Sequence, residues 1–310
     1  MRLQKHKPII GHTKIVEFLE KSMAGGNPAH AYLFLGPEQV GKSTVARWVA
    51  EQLLDGNVEA HPDISIVVRE RDEKTGNLKS NISIEQIRNL RERLSMSSMH
   101  GGHKVALIEG ADFMSIEASN AMLKTLEEPT SKTTIVLTAS NEARLPATIS
   151  SRCQTFRFGL VAADRIVKAL VDAGQSQVKA EQIAAVSFGR PGAALEYAAD
   201  SEHLNEHMQE VKSLQQLIDL PLSARLKYVS ENTPKGAAGR EEVLDKFGTW
   251  ERVLRDQLLA SLGCDELTAI KSRSQAKQPA KTLKTLQACR QALLKNTNPQ
   301  LTLENFLINL

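Results

Sequence analysis

The first half of the chain contains five short apolar runs, separated by segments with helical periodicity. Most of these runs are apolar at every position, which predicts strands of a parallel sheet with helices on both faces. The sequence therefore predicts an α/β domain over residues 1–160. The predicted strands are AYLFL at 31–35, ISIVV at 64–68, KVALIE at 104–109, TTIVLTA at 133–139 and QTFRF at 154–158.

Two of the intervening helices have recognisable start signals. Ser83, followed three residues later by Gln86, is a capping-box pattern. Ser115 is predicted to cap a second helix, which Pro129 would end. The polar segment 69–81 is expected to form an exposed hairpin loop.

Beyond residue 160 the strand pattern disappears and helical periodicity continues. The sequence predicts a small helical domain over 161–208 and a second helical domain over 209–310. The apolar stripes near the end of the chain are interpreted as core positions rather than as a binding face. They consist of Leu283, Leu286, Leu293, Leu294, Leu303, Phe306, Leu307 and Leu310.

Composition narrows the class of protein. The chain has 310 residues and 41% hydrophobic content, which is ordinary for a globular protein. Its three cysteines are far apart and form no CxxC pair, so neither a disulfide framework nor a cysteine zinc site is indicated. No apolar run reaches the length of a signal peptide core or a membrane span, and we expect a cytoplasmic protein without membrane contact.

Charge adds little to this assignment. A formal net charge of +3 does not by itself argue for binding to nucleic acid. The segment 267–303 carries seven Lys and Arg residues and no Asp or Glu. Two interpretations of that segment remain open: a solvated helical surface, or a surface for an acidic partner or DNA.

The clearest motif is GPEQVGKS, which runs from Gly36 to Ser43 between a predicted strand and a predicted helix. Gly36 and Gly41 permit backbone angles that turn successive amides toward an anion, and the helix adds its positive N-terminus. Lys42 is predicted to reach the phosphates, and the Ser43 hydroxyl is suited to Mg²⁺. With Thr44 they form a predicted ATP-binding loop.

The strand KVALIE ends where a P-loop ATPase holds its metal-shell and water-activating acids. Glu109 is a candidate for the Mg²⁺ shell, whereas Gly110 has no side chain and cannot act as a general base. Asp112 is interpreted as a turn or capping acid, with a displaced base as the alternative. The pattern predicts nucleotide binding with negligible hydrolysis by this chain alone.

The residues that follow carry a family pattern. ISIEQIRNL, KVALIEGADFM, ASNAMLKTLEEP and LTASNEARLPATISSRCQTF, together with the phosphate loop, resemble the bacterial DNA polymerase III clamp-loader subunits, and most closely their delta-prime branch. The resemblance is strong over the first 160 residues and loose beyond them. Its most specific segments are the LEEP motif ending at Pro129 and the triplet Ser151-Arg152-Cys153.

The resemblance implies an AAA+ domain, a helical lid and a helical collar through which five subunits form an open ring. Such rings use ATP to open a sliding clamp and place it on primed DNA, so the implied partners are other clamp-loader subunits, the clamp and primer-template DNA. By the same resemblance, Arg152 is an arginine finger that acts on ATP held by a neighbouring subunit. Ser140 and Asn141 correspond to the polar sensor of the γ phosphate.

Departures from the family pattern refine this expectation. The segment LLDGNVEAHPDISIVV lacks the cysteines of the zinc module that many delta-prime relatives carry, so zinc is not expected. Gly192 occupies the place of a second sensor arginine, and Arg190 lies two positions earlier; whether Arg190 substitutes is left open. The sequence favours a non-catalytic subunit of the polymerase holoenzyme. The alternatives are an ATP-hydrolysing clamp-loader motor or related AAA+ DNA-processing ATPase and, less favoured, a small-molecule kinase.

Overall fold

The computed structural model describes residues 8–26, 28–54, 58, 61–72, 78–99, 102–128, 132–233, 236–263 and 278–310. The chain divides into two compact units, Met1–Val161 and Ala162–Leu310. The first is an α/β unit and the second is helical. The predicted fold class is therefore confirmed, whereas the further division of the helical part at residue 208 stays a prediction. Among the described residues, no helix combines the length and apolar character needed to cross a bilayer.

A parallel sheet forms the centre of the first unit. Its strands are β1 (Ala31–Leu35), β2 (Ile64–Val67), β3 (Lys104–Glu109), β4 (Thr133–Ala139) and β5 (Gln154–Arg157). They lie in the order β2-β3-β4-β1-β5, and every pairing is parallel. Each strand agrees with its predicted segment to within one residue. The agreement is close because continuous apolar runs bounded by polar or glycine residues leave little choice of boundary.

One helix precedes β1 and the others connect the strands. They are α1 (Thr13–Ala24), α2 (Lys42–Leu54), α3 (Ile84–Ser95), α4 (Ile116–Glu127) and α5 (Ala147–Ser150), with 3-10 turns at Ala111–Phe113 and Glu142–Arg144. Both capping predictions are confirmed: Ser83 and Gln86 form the reciprocal capping box, and the Ser115 hydroxyl accepts a hydrogen bond from the amide of Ala118. The predicted stop at Pro129 lies outside the described residues.

Both faces of the sheet are covered, as the apolar runs predict. Leu33 of β1 packs into a core with residues of α3 and α4, whereas its neighbours Tyr32 and Phe34 pack on the other face with residues of α1 and α2. The strand β5 differs from that expectation, since most of its residues are exposed. It is an edge strand that pairs on one side only, and its sequence mixes polar and aromatic residues.

Two details complete the first unit. The polar segment 69–81 contains an antiparallel bridge between Arg71 and Leu78, as expected for a hairpin, while its centre, 73–77, lies outside the described residues. At the start of β3, the Lys104 ammonium donates hydrogen bonds to the carbonyl oxygens of Leu94 and Met96. It thereby provides a partner for a carbonyl at the C-terminal end of α3.

The second unit is built from helices. They are α6 (Ala163–Asp172), α7 (Gln177–Ser187), α8 (Pro191–Ala199), α9 (Ser201–Asp219), α10 (Leu222–Asn232), α11 (Gly236–Ser261), α12 (Pro279–Leu294) and α13 (Pro299–Ile308). Trp250, Phe247 and Phe306 are fully buried in a core between α11 and α13. The C-terminal stripes are mainly core as predicted, although Leu294 is 59% exposed. The first part of the basic segment, 267–277, lies outside the described residues.

Candidate functional site

The carboxyl ends of β1, β3 and β4 lie side by side at one edge of the sheet. The phosphate loop leaves β1 at this edge, Glu109 ends β3, and Ser140 and Asn141 follow β4. Such an edge is where open α/β sheets bind ligands. The fold thus brings together all the residues that the sequence assigns to nucleotide binding.

The backbone of the phosphate loop requires its glycines. Gly36 has φ +153°, and a Cβ at this position would lie 2.1 Å from the carbonyl oxygen of Phe158. Gly41 has φ +105°, a region that L side chains rarely adopt. Helix α2 begins directly afterwards, at Lys42, so its first amides have no partners within the helix. The loop and helix start therefore form an anion-binding shape.

The side chain of Lys42 lies over this loop. Its ammonium donates to the carbonyl oxygens of Gly36 and Pro37, each at 2.6 Å, and the residue is 8% exposed. Burial lowers the pKa of Lys42 from 10.5 to about 8, against the opposing effect of the carboxylates of Glu38 and Asp112. The lysine is charged at neutral pH and can exchange loop carbonyls for phosphate oxygens.

The predicted metal carboxylate is already paired. Arg47 lies one turn after Ser43 on α2, and its Nη2 is 2.9 Å from Oε1 of Glu109. Ser43 and Thr44 are half-buried in the first turn of the same helix. In the part of the chain that the structure describes, no three His, Cys, Asp or Glu residues cluster in a way that could hold a metal ion. The ion pair with Arg47 was missed by sequence reasoning, because its partners are 62 positions apart.

Asp112 lies in the 3-10 turn after β3, as a turn acid would, but it is buried at this edge. It is 4% exposed, and its Oδ2 accepts a hydrogen bond from the amide of Asn141 at 3.0 Å. Its Oδ1 is buried without a hydrogen-bond partner among the described residues. Ser115, not Asp112, caps α4. Asp112 therefore ties the turn after β3 to the segment after β4 and places a negative charge near Lys42.

Gly110 follows Glu109 in a left-handed conformation, with φ +80° and ψ +48°. Its amide donates to the carbonyl oxygen and to the hydroxyl of Thr138 on β4, both at 3.1 Å. The backbone at Gly110 is therefore held in a conformation that favours glycine. In addition, the position has no side chain that could act as a general base.

The two candidate sensor residues are exposed at the same edge. The side-chain oxygen of Asn141 accepts a hydrogen bond from the amide of Ala143, which starts a short 3-10 turn. Ser140 directly follows β4.

Arg152 lies at the amino ends of the strands, whereas the phosphate loop lies at their carboxyl ends. It precedes β5, whose first residue Gln154 pairs with Tyr32 near the start of β1, whereas the loop follows the end of β1. Five strand residues at about 3.3 Å each separate the two positions by roughly 16 Å along the strand. The guanidinium forms an ion pair with Glu127, from Nη2 to Oε1 at 2.6 Å. The position of Arg152 therefore does not serve the phosphate loop of its own chain.

Gly192, which stands in place of the second sensor arginine, and Arg190 both lie in the helical unit. Gly192 is the second residue of α8 and Arg190 is the N-cap of that helix. The Arg190 guanidinium donates to the carbonyl oxygen of Phe188 at 3.2 Å and also lies near Tyr197. Its local role is to hold the turn between α7 and α8.

Comparison with known proteins gives a consistent family. Residues 11–162 match the family described as DNA polymerase III, delta subunit. The delta' subunit of Pseudomonas aeruginosa is 36% identical over 151 residues, which cover 43% of this chain and 44% of the relative. The tau subunit of Bacillus subtilis is 28% identical over 202 residues, covering 62% of this chain and 36% of the relative. These matches thus span less than half of each relative.

Two further likenesses extend over more of the chain. The gamma subunit of Buchnera aphidicola is 25% identical over 276 residues, covering 83% of this chain and 76% of the relative. A crystal structure of a gamma subunit-related protein from Thermotoga maritima has a TM-score of 0.51 at 20% identity, covering 96% of this chain and 97% of that one. The latter likeness shows the fold.

Proposed function

The chain belongs to the family of DNA polymerase III clamp-loader subunits, and from this premise we propose that it is a non-hydrolysing, delta-prime-like member of the complex. It would bind ATP weakly to moderately through its phosphate loop, with negligible turnover of its own. Its contribution to catalysis would be Arg152, donated as an arginine finger to ATP held by a neighbouring subunit. Other clamp-loader subunits in a five-membered ring, the sliding clamp and primed DNA are the proposed partners.

The position of Arg152 carries this proposal. Because Arg152 lies at the amino ends of the strands, its guanidinium cannot contact nucleotide bound at the phosphate loop of its own chain. It is accessible instead to a molecule that packs against that end of the sheet. The residue is half-buried, so its side chain has already lost part of its conformational entropy before a partner binds. A fixed guanidinium stabilises the charge that develops on transferred phosphate oxygens.

The end of β3 supports the absence of hydrolysis. Gly110 supplies no carboxylate to activate water, and Glu109 is paired with Arg47. The residues predicted to hold Mg²⁺ also fit it poorly, since the metal would compete with a guanidinium for the Glu109 carboxylate. We therefore assign nucleotide affinity mainly to the phosphate loop, Lys42 and the start of α2.

The finger is tested in the complete clamp-loader complex. Arg152→Ala is expected to lower DNA-stimulated ATP hydrolysis at least about tenfold, while the complex still assembles, because one arginine finger contributes on the order of 10³-fold or more in related phosphoryl transfers. Arg157→Ala is the matched control, since Arg157 is likewise an arginine that forms an ion pair with a glutamate, Glu142, although it is more exposed than Arg152. Unchanged turnover in the Arg152 variant would contradict the assignment.

An ATP-hydrolysing motor subunit or related AAA+ DNA-processing ATPase is the second candidate. The complete phosphate loop, with its glycines in the required conformations, favours it. This candidate predicts Mg²⁺-dependent hydrolysis by the purified chain alone, which Lys42→Ala abolishes. Negligible turnover by the isolated chain, together with measurable nucleotide binding, would favour the first proposal.

A further inference from the structure

The last turn of α4 presents a carboxylate to the proposed finger. Oε1 of Glu127 lies 2.6 Å from Nη2 of Arg152, and the two residues are 25 positions apart in the sequence. Both side chains are partly exposed, Arg152 at 35% and Glu127 at 49%. The contact thus joins the LEEP motif to the Ser-Arg-Cys triplet on the surface of the first unit.

In the described part of the chain, Glu127 is the residue that forms an ion pair with this guanidinium. The other bonds are local: Nη1 donates to the carbonyl oxygen of Thr148 at 3.0 Å and to the hydroxyl of Ser151 at 3.4 Å. Among the described residues, the Nε–H and one Nη2–H then meet no acceptor. Glu127 therefore fixes the direction of the side chain and leaves two donors for phosphate oxygens.

The stability of α4 does not explain a glutamate at this position. The helix buries its other face, through Ala118, Met122 and Leu126. A negative charge in the last turn of a helix is unfavourable to the helix dipole by about 0.3–1 kcal/mol. An ion pair this exposed contributes only about 0–1 kcal/mol to folding. The contact therefore has little structural value of its own, and its main effect is on the orientation of Arg152.

We propose that Glu127 is a positioning residue, which holds the Arg152 guanidinium in the orientation that meets nucleotide phosphate on a neighbouring subunit. This inference rests on the proposed function, since it requires Arg152 to act across the interface. A free arginine side chain loses about 2 kcal/mol of rotamer freedom when it is ordered, and a carboxylate that orders it in advance removes part of that cost.

The test uses the complete complex, with steady-state hydrolysis measured against ATP concentration in the presence of primed DNA. Glu127→Gln is expected to lower kcat about 3- to 30-fold and to leave KM and co-purification of the subunits unchanged. Glu128→Gln is the matched control, because this neighbouring glutamate is exposed and has no ion-pair partner among the described residues. It is expected to behave as wild type.

A second comparison separates positioning from a general structural effect. In the Arg152→Ala background, Glu127→Gln is expected to cause no further loss of kcat, because its effect passes through Arg152. The inference is overturned if Glu127→Gln matches Glu128→Gln, if it lowers kcat equally in both backgrounds, or if it prevents assembly. If Arg152→Ala itself leaves turnover unchanged, the proposed finger fails, and the role of Glu127 fails with it.

Discussion

Replacing Gly110 tests two explanations for the absence of hydrolysis at the end of β3. Either only a carboxylate is missing, or the backbone conformation also disfavours any residue with a side chain there. Gly110 has φ +80°, which costs a residue with a Cβ about 1–2 kcal/mol. A Cβ here would also lie 3.2 Å from Cδ2 of Phe113. That ring cannot move freely, because the guanidinium carbons of Arg69 and Arg144 lie 3.8 and 4.9 Å from its centroid.

We therefore expect Gly110→Glu to destabilise the first unit by about 1–3 kcal/mol and to gain no ATP hydrolysis. The amide of Gly110 is held by two bonds to Thr138, so the backbone does not relax easily into a β conformation. The left-handed backbone would also set the direction of the glutamate side chain, which would differ from that of a side chain on an extended strand. Urea unfolding and Mg²⁺-dependent phosphate release by the purified chain measure the two effects.

Two control variants separate backbone strain from chemistry. Gly110→Ala carries the same strain without a carboxylate and is expected to lose as much stability as Gly110→Glu. Gly110→Asn is expected to lose less, because asparagine tolerates the left-handed region. Turnover that appears in the Glu variant but not in the Ala variant would refute the argument, since it would show that the missing carboxylate alone limits hydrolysis.

Two further predictions follow from shifted pKa values. Because the pKa of Lys42 is lowered to about 8, nucleotide affinity is expected to fall as the pH rises above 8, by up to about tenfold per pH unit. A fluorescent-nucleotide titration should show that this fall begins at a lower pH in Asp112→Asn, which loses a carboxylate that raises the pKa of Lys42, and that it is absent in Lys42→Arg. Burial lowers the pKa of His207 from 6.5 to about 4, so the folded state favours the neutral ring, and stability is lost as the pH falls from 6.5 to 4. The loss is at most about 3 kcal/mol, and urea unfolding at pH 7 and pH 4.5 should show a smaller loss for His207→Gln; an equal loss in that variant would exclude His207 as its cause.

The sequence predicts the scaffold well, because the signals for it are local. A continuous apolar run such as that of β4, or a capping pair such as Ser83 and Gln86, is decided within a few residues. Contacts between charged residues are not local. Glu109 can be recognised as a carboxylate at a strand end, but its pairing with Arg47 depends on how α2 lies against β3. No periodicity in either segment carries that information.

Gly110 and Asp112 show why the remaining part of the site needed a structure. Read as a position in a motif, Gly110 is a missing base, whereas its positive φ makes it a required turn residue. A glycine directly after a buried strand was a signal for such a conformation. Asp112 offered no comparable signal, because an acid before a helix start is usually a cap. Its burial and its bond to the amide of Asn141 appear only when β3 and β4 are placed side by side.

Under the proposed function, the ion pairs at the two ends of the strands would affect nucleotide chemistry in different ways. At the carboxyl ends of the strands, beside the phosphate loop, Arg47 pairs with Glu109, the carboxylate that the sequence predicts for the Mg²⁺ shell. At the other end, Glu127 engages one side of a guanidinium and leaves donors of Arg152 unused. Under the proposed function, the first contact would weaken metal binding at the chain's own nucleotide site, and the second would orient Arg152 toward nucleotide on a neighbouring subunit. We therefore expect a subunit with both contacts to assist hydrolysis in a neighbouring subunit rather than to perform it.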